Sequence, residues 1–236
     1  MPVAELTVYD EGERYVFRYV QGVEDAFEEE FHAFAAFPDV EATYESRELF
    51  AFFQNRIMPR SRPDFPRYVA ELGLDPNGGI DVAELLGRGL GIRETDRIET
   101  ALVPRRDPAT GRYVTHFPVR GVRHVDRAEA VAAELTEGES LELLLDPENP
   151  RNPRARKLVS ERGVVGFLPD FLVAELDSLE QHGSLPSCRV VRLNPPPAPP
   201  QKRVLVRLEA DWPEGHRPLD AQAFRPFDPR VSDRSS

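Results

Sequence analysis

The stretch from Val119 to Phe171 constrains the fold of this chain most, because short apolar runs alternate there with loops rich in glycine and proline. Leu141 to Leu145 and Val164 to Leu168 each have the length and composition of a β-strand. The loop from Asp146 to Arg154 contains three prolines and two asparagines, so it is stiff and rich in hydrogen-bonding groups. This order favours short strands that assemble into a small, partly open β-barrel of the OB type.

Two helices and several further strands belong to the same module. Asp126 is placed to cap a helix through Leu135, and a second helix begins at Pro169 or Asp170 and ends before Gly183. The proline run from Pro195 to Pro200 predicts a polyproline II spacer that loops out between two strands, or alternatively a ligand for an aromatic groove. The remaining strands are predicted at residues 117–125, 155–159, 189–193 and 203–209.

An α+β domain is predicted ahead of this module. Residues 6–9 and 15–20 form a hairpin around a loop that contains glycine, and Asp81 is a candidate helix N-cap. Gly87 to Gly91 is interpreted as a flexible turn, because it lacks the Gly-Lys-Ser/Thr ending of a phosphate-binding loop. The predicted fold class is therefore α+β, with an acidic domain at 1–112, the barrel at 113–212, and a proline-rich polar tail at 213–236 that is extended or disordered.

Charge and cysteine content limit the function classes. The net charge is −11, and residues 1–112 contribute most of it, with 13 Arg against 22 Asp and Glu. Residues 113–212 hold 13 Lys and Arg against 15 Asp and Glu, so they could still bind a phosphate backbone through a local basic patch. One cysteine excludes an internal disulfide and a multi-cysteine zinc site, and the scattered histidines form no catalytic constellation. We expect a cytoplasmic protein without a membrane span, cofactor or metal, and without enzyme activity.

The motif order Val119-Arg120-Gly121-Val122-Arg123-His124, then Asp146 to Ala155, then Val164 to Pro169, resembles the HIRAN domain. The resemblance covers about residues 113 to 212, and it implies an OB-like barrel that recognises single-stranded DNA, especially a free 3′ end. It implies that aromatic side chains stack on bases while an acid and backbone groups hold the terminal sugar hydroxyl. The run from Leu49 to Phe53 is followed by Asn55, Pro59 and the basic Arg60. In this arrangement, residues 15 to 75 are similar to the N-terminal subdomain of HipA-type proteins, although no kinase core follows.

The resemblance places a nucleic-acid site on nine residues. Arg123 matches the family arginine, His124 takes the aromatic position, and Asn149 matches the loop asparagine. Arg151 stands where an aromatic is usual and Asn152 replaces an aspartate, while Asp170 lies near a position that is basic in other members. The full set is Arg123, His124, Asn149, Arg151, Asn152, Arg154, Arg156, Lys157 and Phe167. Several of them have a structural alternative: His124 as an ordinary strand residue, the asparagines as turn formers, and Arg154 to Lys157 as a solvated edge strand.

Two functions of different classes are consistent with these observations. The first is a nucleic-acid-binding module that recognises single-stranded DNA or DNA ends in repair or genome maintenance. The second is a non-catalytic interaction module, in which the acidic domain and the proline-rich segment dock a protein partner.

Overall fold

The computed structural model describes residues 1–232 and has the mixed α+β fold that the sequence predicts. The chain packs as two compact units. The first contains residues 1–56 and the described residues after 218, and the second is Ile57–Pro218. The sequence predicts domain boundaries at residues 112 and 212. The two compact units divide the chain at other positions, and the predicted domains stay a prediction. No helix within residues 1–232 is both long and apolar enough to cross a membrane.

The first unit is built on a three-stranded antiparallel sheet. Its elements are β1 (Ala4–Tyr9), β2 (Arg14–Tyr19), α1 (Val23–Glu28), β3 (Tyr44–Ser46) and α2 (Ala51–Gln54), with a short C-terminal helix at Pro229–Ser232. The predicted hairpin is confirmed, because β1 and β2 pair in register around a 3-10 turn at Asp10–Gly12. Phe17 stacks on Phe37 with ring centroids 3.8 Å apart, so aromatic rings fill this core.

The C-terminal segment is ordered where it meets the first unit, which corrects the expectation of an extended or disordered tail. Val20 and Pro226 form an antiparallel bridge, and the Gln21 amide donates to the Arg225 carbonyl across 2.8 Å. The Phe227 amide donates to the Tyr19 carbonyl across 3.0 Å. These backbone bonds hold the segment, and its polar composition alone did not indicate them.

The second unit is built on an antiparallel sheet whose strand order is β4-β5-β10-β9-β6-β7-β8. Its strands are β4 (Arg105–Arg106), β5 (Tyr113–Pro118), β6 (Ser140–Leu145), β7 (Arg156–Ser160), β8 (Gly163–Phe167), β9 (Ser187–Leu193) and β10 (Val204–Ala210). A single bridge between Arg120 and Phe167 links the segment after β5 to β8 and bends the sheet into a partly open barrel. The core includes Leu158, Val165 and Val206, and burying each side chain contributes about 1.5–3 kcal/mol.

Four helices pack in the second unit. They are α3 (Phe65–Glu71), α4 (Val82–Gly89), α5 (Ala128–Glu134) and α6 (Val173–Gln181). Asp81 caps α4 as predicted, because its carboxylate accepts the Ala83 amide across 2.8 Å. The prediction that Asp126 caps α5 is wrong, since the N-cap is Arg127 in a left-handed conformation without a side-chain bond.

Three local predictions are corrected by tertiary packing. Gly87 to Gly89 belong to α4, and a Cβ at Gly87 would lie 2.3 Å from Leu102 Cγ, so the glycine permits a close approach. The strand predicted at 117–125 is wrong beyond Pro118, where β5 ends. The chain after it forms the Arg120 bridge and then a turn. The proline run loops out between paired strands as expected, but it contains a turn and a 3-10 helix at Pro200–Lys202 and is not polyproline II throughout.

Candidate nucleic-acid interface

Three segments of the second unit meet at one end of its sheet. β6 and β7 are antiparallel neighbours, as are β7 and β8, so the end of β6, the start of β7 and the end of β8 share this end. The Arg120–Phe167 bridge, with backbone bonds of 2.9 and 2.8 Å, adds the chain after β5. All nine predicted site residues lie on these segments: Arg123, His124, Asn149, Arg151, Asn152, Arg154, Arg156, Lys157 and Phe167. Their role in binding stays a prediction.

Two glycines allow the chain after β5 to lie against β8. A Cβ at Gly166 would lie 2.4 Å from the Arg120 carbonyl oxygen and 2.5 Å from Val119 Cγ1, a separation that real side chains do not tolerate. Gly121 has a φ of +71°, and a Cβ there would lie 3.0 Å from the Phe167 ring. The absence of a side chain at Gly121 therefore leaves room for the Phe167 ring.

The turn after Gly121 exposes two of the predicted residues. The His124 amide donates to the Gly121 carbonyl across 2.8 Å, which closes the turn and leaves the Arg123 and His124 side chains at the surface. Arg123 Nη2 donates to Gln201 Oε1 across 3.2 Å. In the part of the chain that the structure describes, no carboxylate pairs with Arg123, so its charge is available to a phosphate.

The two loop asparagines shape the backbone between β6 and β7. Asn149 Oδ1 accepts the amides of residues 151 and 152 at 3.1 and 3.3 Å, and Asn152 Oδ1 accepts the Arg154 amide at 2.9 Å. Asn152 Nδ2 donates to Asp170 Oδ1 across 3.3 Å, which ties the loop to the chain after β8. Both residues act as turn formers in this structure. Arg151 at the tip is exposed, and within residues 1–232 its side chain has no charged partner.

The three cations at the start of β7 are balanced by carboxylates. Arg154 pairs with Asp177, and Arg156 Nη2 lies 2.5 Å from Asp177 Oδ1 and 3.2 Å from Glu180 Oε2. Lys157 Nζ lies 2.9 Å from Asp146 Oδ1. The edge-strand interpretation of these residues is wrong, because β7 pairs with β6 on one side and with β8 on the other. Their pairing reduces the positive potential that the sequence predicts here.

A row of side chains crosses the sheet next to this end. Leu144 lies opposite Lys157, Lys157 lies opposite Phe167, and Phe167 lies opposite Arg120, so the four share one face. Leu144 is 46% exposed and Phe167 is half-buried. Apolar and aromatic side chains therefore alternate with basic ones along this row, and aromatic rings beside basic groups are the kind of surface on which unpaired bases stack.

The sequence did not single out Leu144, Gln201 or Asp177. Leu143 to Leu145 break the alternation expected of a half-buried strand, and this break is a signal for an exposed apolar residue. No local pattern links Gln201 to Arg123, since the two are 78 positions apart and meet only through the β9–β10 connection. Asp177 lies in the middle of α6 and reaches Arg154 and Arg156 only in the folded chain.

No family model and no curated protein matches this sequence. Among solved structures, the chain is similar to the HIRAN domain of human HLTF, with 20% identity and a TM-score of 0.30 over 41% of this chain and 72% of that chain. It is also similar to a protein from Lactobacillus plantarum, with 17% identity and a TM-score of 0.34 over 41% of this chain and 92% of that chain.

Both likenesses are too distant to carry functional conclusions, so the candidate interface is defined by the residues of this chain alone. The similarity of residues 15–75 to HipA-type proteins stays a prediction.

Proposed function

We propose that the end of the sheet formed by the Arg120–His124 turn, the 146–155 loop and the end of β8 binds single-stranded nucleic acid. The observation that carries this proposal is the position of two arginines without carboxylate partners in the described chain, Arg123 and Arg151, on segments that flank the half-buried Phe167. The arginines contact phosphates and the ring stacks on a base, which contributes about 1–3 kcal/mol.

Few phosphate contacts fit this surface. Arg154, Arg156 and Lys157 are held by Asp177, Glu180 and Asp146, so a bound strand must compete with those carboxylates. Arg156 is half-buried and bonded twice, so it stays in its ion pairs, while the more exposed Arg154 can exchange its partner for a phosphate. A short strand or a strand end, with two or three phosphates engaged, therefore suits this surface better than a long duplex. We also propose that the protein is cytoplasmic and acts in DNA repair or genome maintenance.

The test is fluorescence anisotropy with short labelled single strands and a blunt duplex, at low and moderate salt. Replacing Arg123 and Arg151 together by alanine removes two phosphate contacts, so we expect weaker binding and a salt slope that is less steep by roughly 1.4. Arg106→Ala is the matched control, because Arg106 is exposed on β4, beside the opposite end of β5. Equal affinity and equal slope for the double variant and the wild type would contradict the proposed site.

Strands with a free 3′-hydroxyl and with a 3′-phosphate separate two modes of binding. A preference for the hydroxyl is expected if the terminal sugar sits in the 146–155 loop, where Asn152 supplies an amide in place of an aspartate. Equal binding of the two probes would assign recognition to the strand interior.

The second candidate function is docking of a protein partner through the acidic first unit or the proline-rich segment. Pro195, Pro196 and Pro197 are exposed on the β9–β10 connection, which favours this possibility. Co-purification before and after nuclease treatment distinguishes the two functions. A partner that survives nuclease supports docking, and a partner lost with the nucleic acid supports strand binding.

A further inference from the structure

β1 forms an open edge of the sheet in the first unit. It is the outermost strand in the order β1-β2-β3, so β2 covers only one of its sides. With six residues it is longer than the edge strands β3 and β4, which have three and two. Edge strands are commonly blocked by proline, by lysine or by a bulge, and β1 from Ala4 to Tyr9 contains none of these. An edge of this kind is a template for pairing with another strand.

The register of β1 on β2 determines which of its backbone groups point outwards. The Val20 amide donates to the Val3 carbonyl across 3.1 Å, so Val3 and Val20 form a hydrogen-bonded pair. Because bonded and non-bonded pairs alternate along antiparallel strands, Glu5 and Thr7 also bond to β2. The backbone groups that point away from β2 belong to Ala4, Leu6 and Val8. Within residues 1–232 none of these outward groups has a hydrogen-bond partner, and the three side chains are partly exposed.

The outward pairing groups end at a defined residue in each direction. Pro2 occupies the next outward position before Ala4, and proline has no amide hydrogen to donate. Asp10, the next outward position after Val8, has a φ of +52° and begins the 3-10 turn, so it leaves the extended conformation. The free edge therefore runs from Ala4 to Val8.

We propose that a second copy of this chain pairs with this edge, so that two three-stranded sheets join into one antiparallel sheet of six strands. Leu6 lies opposite Leu6 of the second copy on a two-fold axis, and Ala4 lies opposite Val8 on either side of it. All three outward residues then form bonded pairs of two hydrogen bonds each. A two-fold contact between identical strands closes on itself, so it gives a dimer and not a filament.

Hydrogen bonding and charge select this register over its neighbours. In the proposed register Glu5 lies opposite Thr7 of the second copy, so no like charges face each other. Shifts of one residue would oppose outward groups with groups that are already bonded to β2. A shift of two residues towards Pro2 would place Glu5 opposite Glu5, which is destabilising. The opposite shift would place Ala4 against Asp10 in its turn, so Ala4 would lose its bonds.

The side chains of β1 are compatible with a second copy on both faces of the sheet. On one face, Glu5 is the one charged residue of the strand, and its carboxylate accepts Arg18 Nε at 3.0 Å and Arg18 Nη2 at 2.8 Å. On the other face, Leu6 lies opposite the buried Phe17 of β2, so a second leucine extends this apolar layer. The second copy therefore meets an apolar residue on one face and a neutralised charge on the other.

Sedimentation velocity of the full-length protein over a wide range of concentration tests the proposal. The contact runs only from Ala4 to Val8 in each copy, which is small for a protein interface, so we expect a dimer that dissociates on dilution. The sedimentation coefficient should rise with concentration to the value of a dimer and no further. A monomer at every concentration, or growth to larger species, would overturn the proposal.

Two charge substitutions at Thr7 test the register, because Thr7 faces Glu5 of the second copy twice in each dimer. Thr7→Lys should strengthen association several-fold and Thr7→Glu should weaken it several-fold, with both effects smaller at high salt. The two variants lose the same β-branched side chain, and circular dichroism verifies that each is folded. Association of Thr7→Lys that is no tighter than that of Thr7→Glu would overturn the pairing.

The matched controls carry the same charges at the exposed Thr43, which precedes β3 at the other edge of the sheet. They change the net charge of the protein equally but leave β1 unaltered. Thr43→Lys and Thr43→Glu should therefore differ little from each other in association. A difference as large as that at Thr7 would mean that net charge, and not the β1 edge, controls association.

Residue-resolved hydrogen exchange identifies the edge without any substitution. The amides of Leu6 and Val8 point outwards, so they should exchange rapidly in the monomer and several-fold more slowly at concentrations where the dimer forms. The amides of Glu5 and Thr7 bond to β2 and should be protected at both concentrations. A dimer in which the Leu6 and Val8 amides exchange as fast as in the monomer would contradict pairing through β1.

Discussion

At the scale of single residues, Gly166 allows β8 to lie against the chain after β5 because it has no side chain. Gly166 lies where β8 passes the backbone of Arg120, and the two backbone bonds of the Arg120–Phe167 bridge require that approach. Any larger residue at 166 must separate the two segments or shift β8. The same contact positions the Arg123 turn beside Phe167, so the candidate interface depends on it.

We expect Gly166→Ala to lower the free energy of unfolding by about 1–3 kcal/mol, because its Cβ would meet the Arg120 carbonyl oxygen at 2.4 Å. Urea unfolding followed by circular dichroism measures the change. Gly79→Ala is the control, since a Cβ there meets nothing within 4 Å. Equal stability of the two variants would mean that the bridge is not tight in solution.

His116 is a second residue whose environment determines a measurable property. It is buried on β5, and Arg88 Nη2 lies 3.3 Å from its Nδ1, so Nδ1 acts as the acceptor and the ring is neutral. Burial, and then the nearby Arg88 and Arg207, lower the pKa of His116 from 6.5 to about 3. In the unfolded chain the imidazole binds a proton below pH 6.5, while in the folded chain it does not until about pH 3.

The stability of the protein should therefore fall as the pH drops from 6.5 towards 3. At pH 5 we expect this histidine to cost about 2 kcal/mol relative to pH 7, and His116→Gln should reduce that loss because glutamine binds no proton. Urea unfolding at both pH values tests this, with His182→Gln at an exposed position as the control. An identical loss in the wild type and His116→Gln would contradict the buried neutral state.

At the scale of elements, one side-chain hydrogen bond holds the loop between β6 and β7 to the chain after β8. Asn152 Nδ2 donates to Asp170 Oδ1 across 3.3 Å. The asparagine supplies the donor and the aspartate the acceptor, so the contact needs no ion pair. The two residues are 18 positions apart, so the contact exists only in the folded chain.

Asn152→Asp should place two carboxylates in contact and lower the free energy of unfolding by about 0.5–1 kcal/mol. Asp170→Asn in the same chain should restore the loss, because the new amide donates to the new carboxylate. Chemical unfolding of the two single variants and the double variant gives the coupling free energy. Strictly additive effects would show that the Asn152–Asp170 contact contributes nothing in solution.

At the scale of the whole molecule, the charge is divided unequally between the two units. The first unit, residues 1–56 and 219–236, holds 7 Arg against 16 Asp and Glu, a net charge of −9. Residues 57–218 hold 23 Lys and Arg against 25 Asp and Glu, a net charge of −2. The acidic unit repels a nucleic acid over the Debye length, which is about 30 Å at 0.01 M salt and 8 Å at 0.15 M salt.

Replacing the exposed Glu28, Glu29 and Glu30 by glutamine should therefore strengthen strand binding at low salt by about two- to five-fold. The gain should disappear near physiological salt because the repulsion is screened there. Anisotropy titrations at the two salt concentrations measure this. A gain of equal size at both concentrations would indicate a direct contact of these residues with the strand.

Several features of the fold and site were predictable because their causes are local. The β1–β2 hairpin follows from two β-prone runs around a short turn, and the start of α4 follows from the Asp81 cap. The end of α6 before Gly183 follows from a glycine with a φ of +77°. The segments that carry the candidate site were chosen for their resemblance to the HIRAN domain, and their role in binding stays a prediction.

The sequence by itself determined the short antiparallel strands and the stiff asparagine-containing loop, because neighbouring residues set strand period and turn chemistry. Only the tertiary structure decided which charges remain available, because Arg154 and Arg156 meet Asp177 from a helix 21 to 23 positions away. It also decided that Gly87 belongs to a helix packed on Leu102. Contacts between distant segments gain their free energy only when the chain is folded, so no local pattern encodes them.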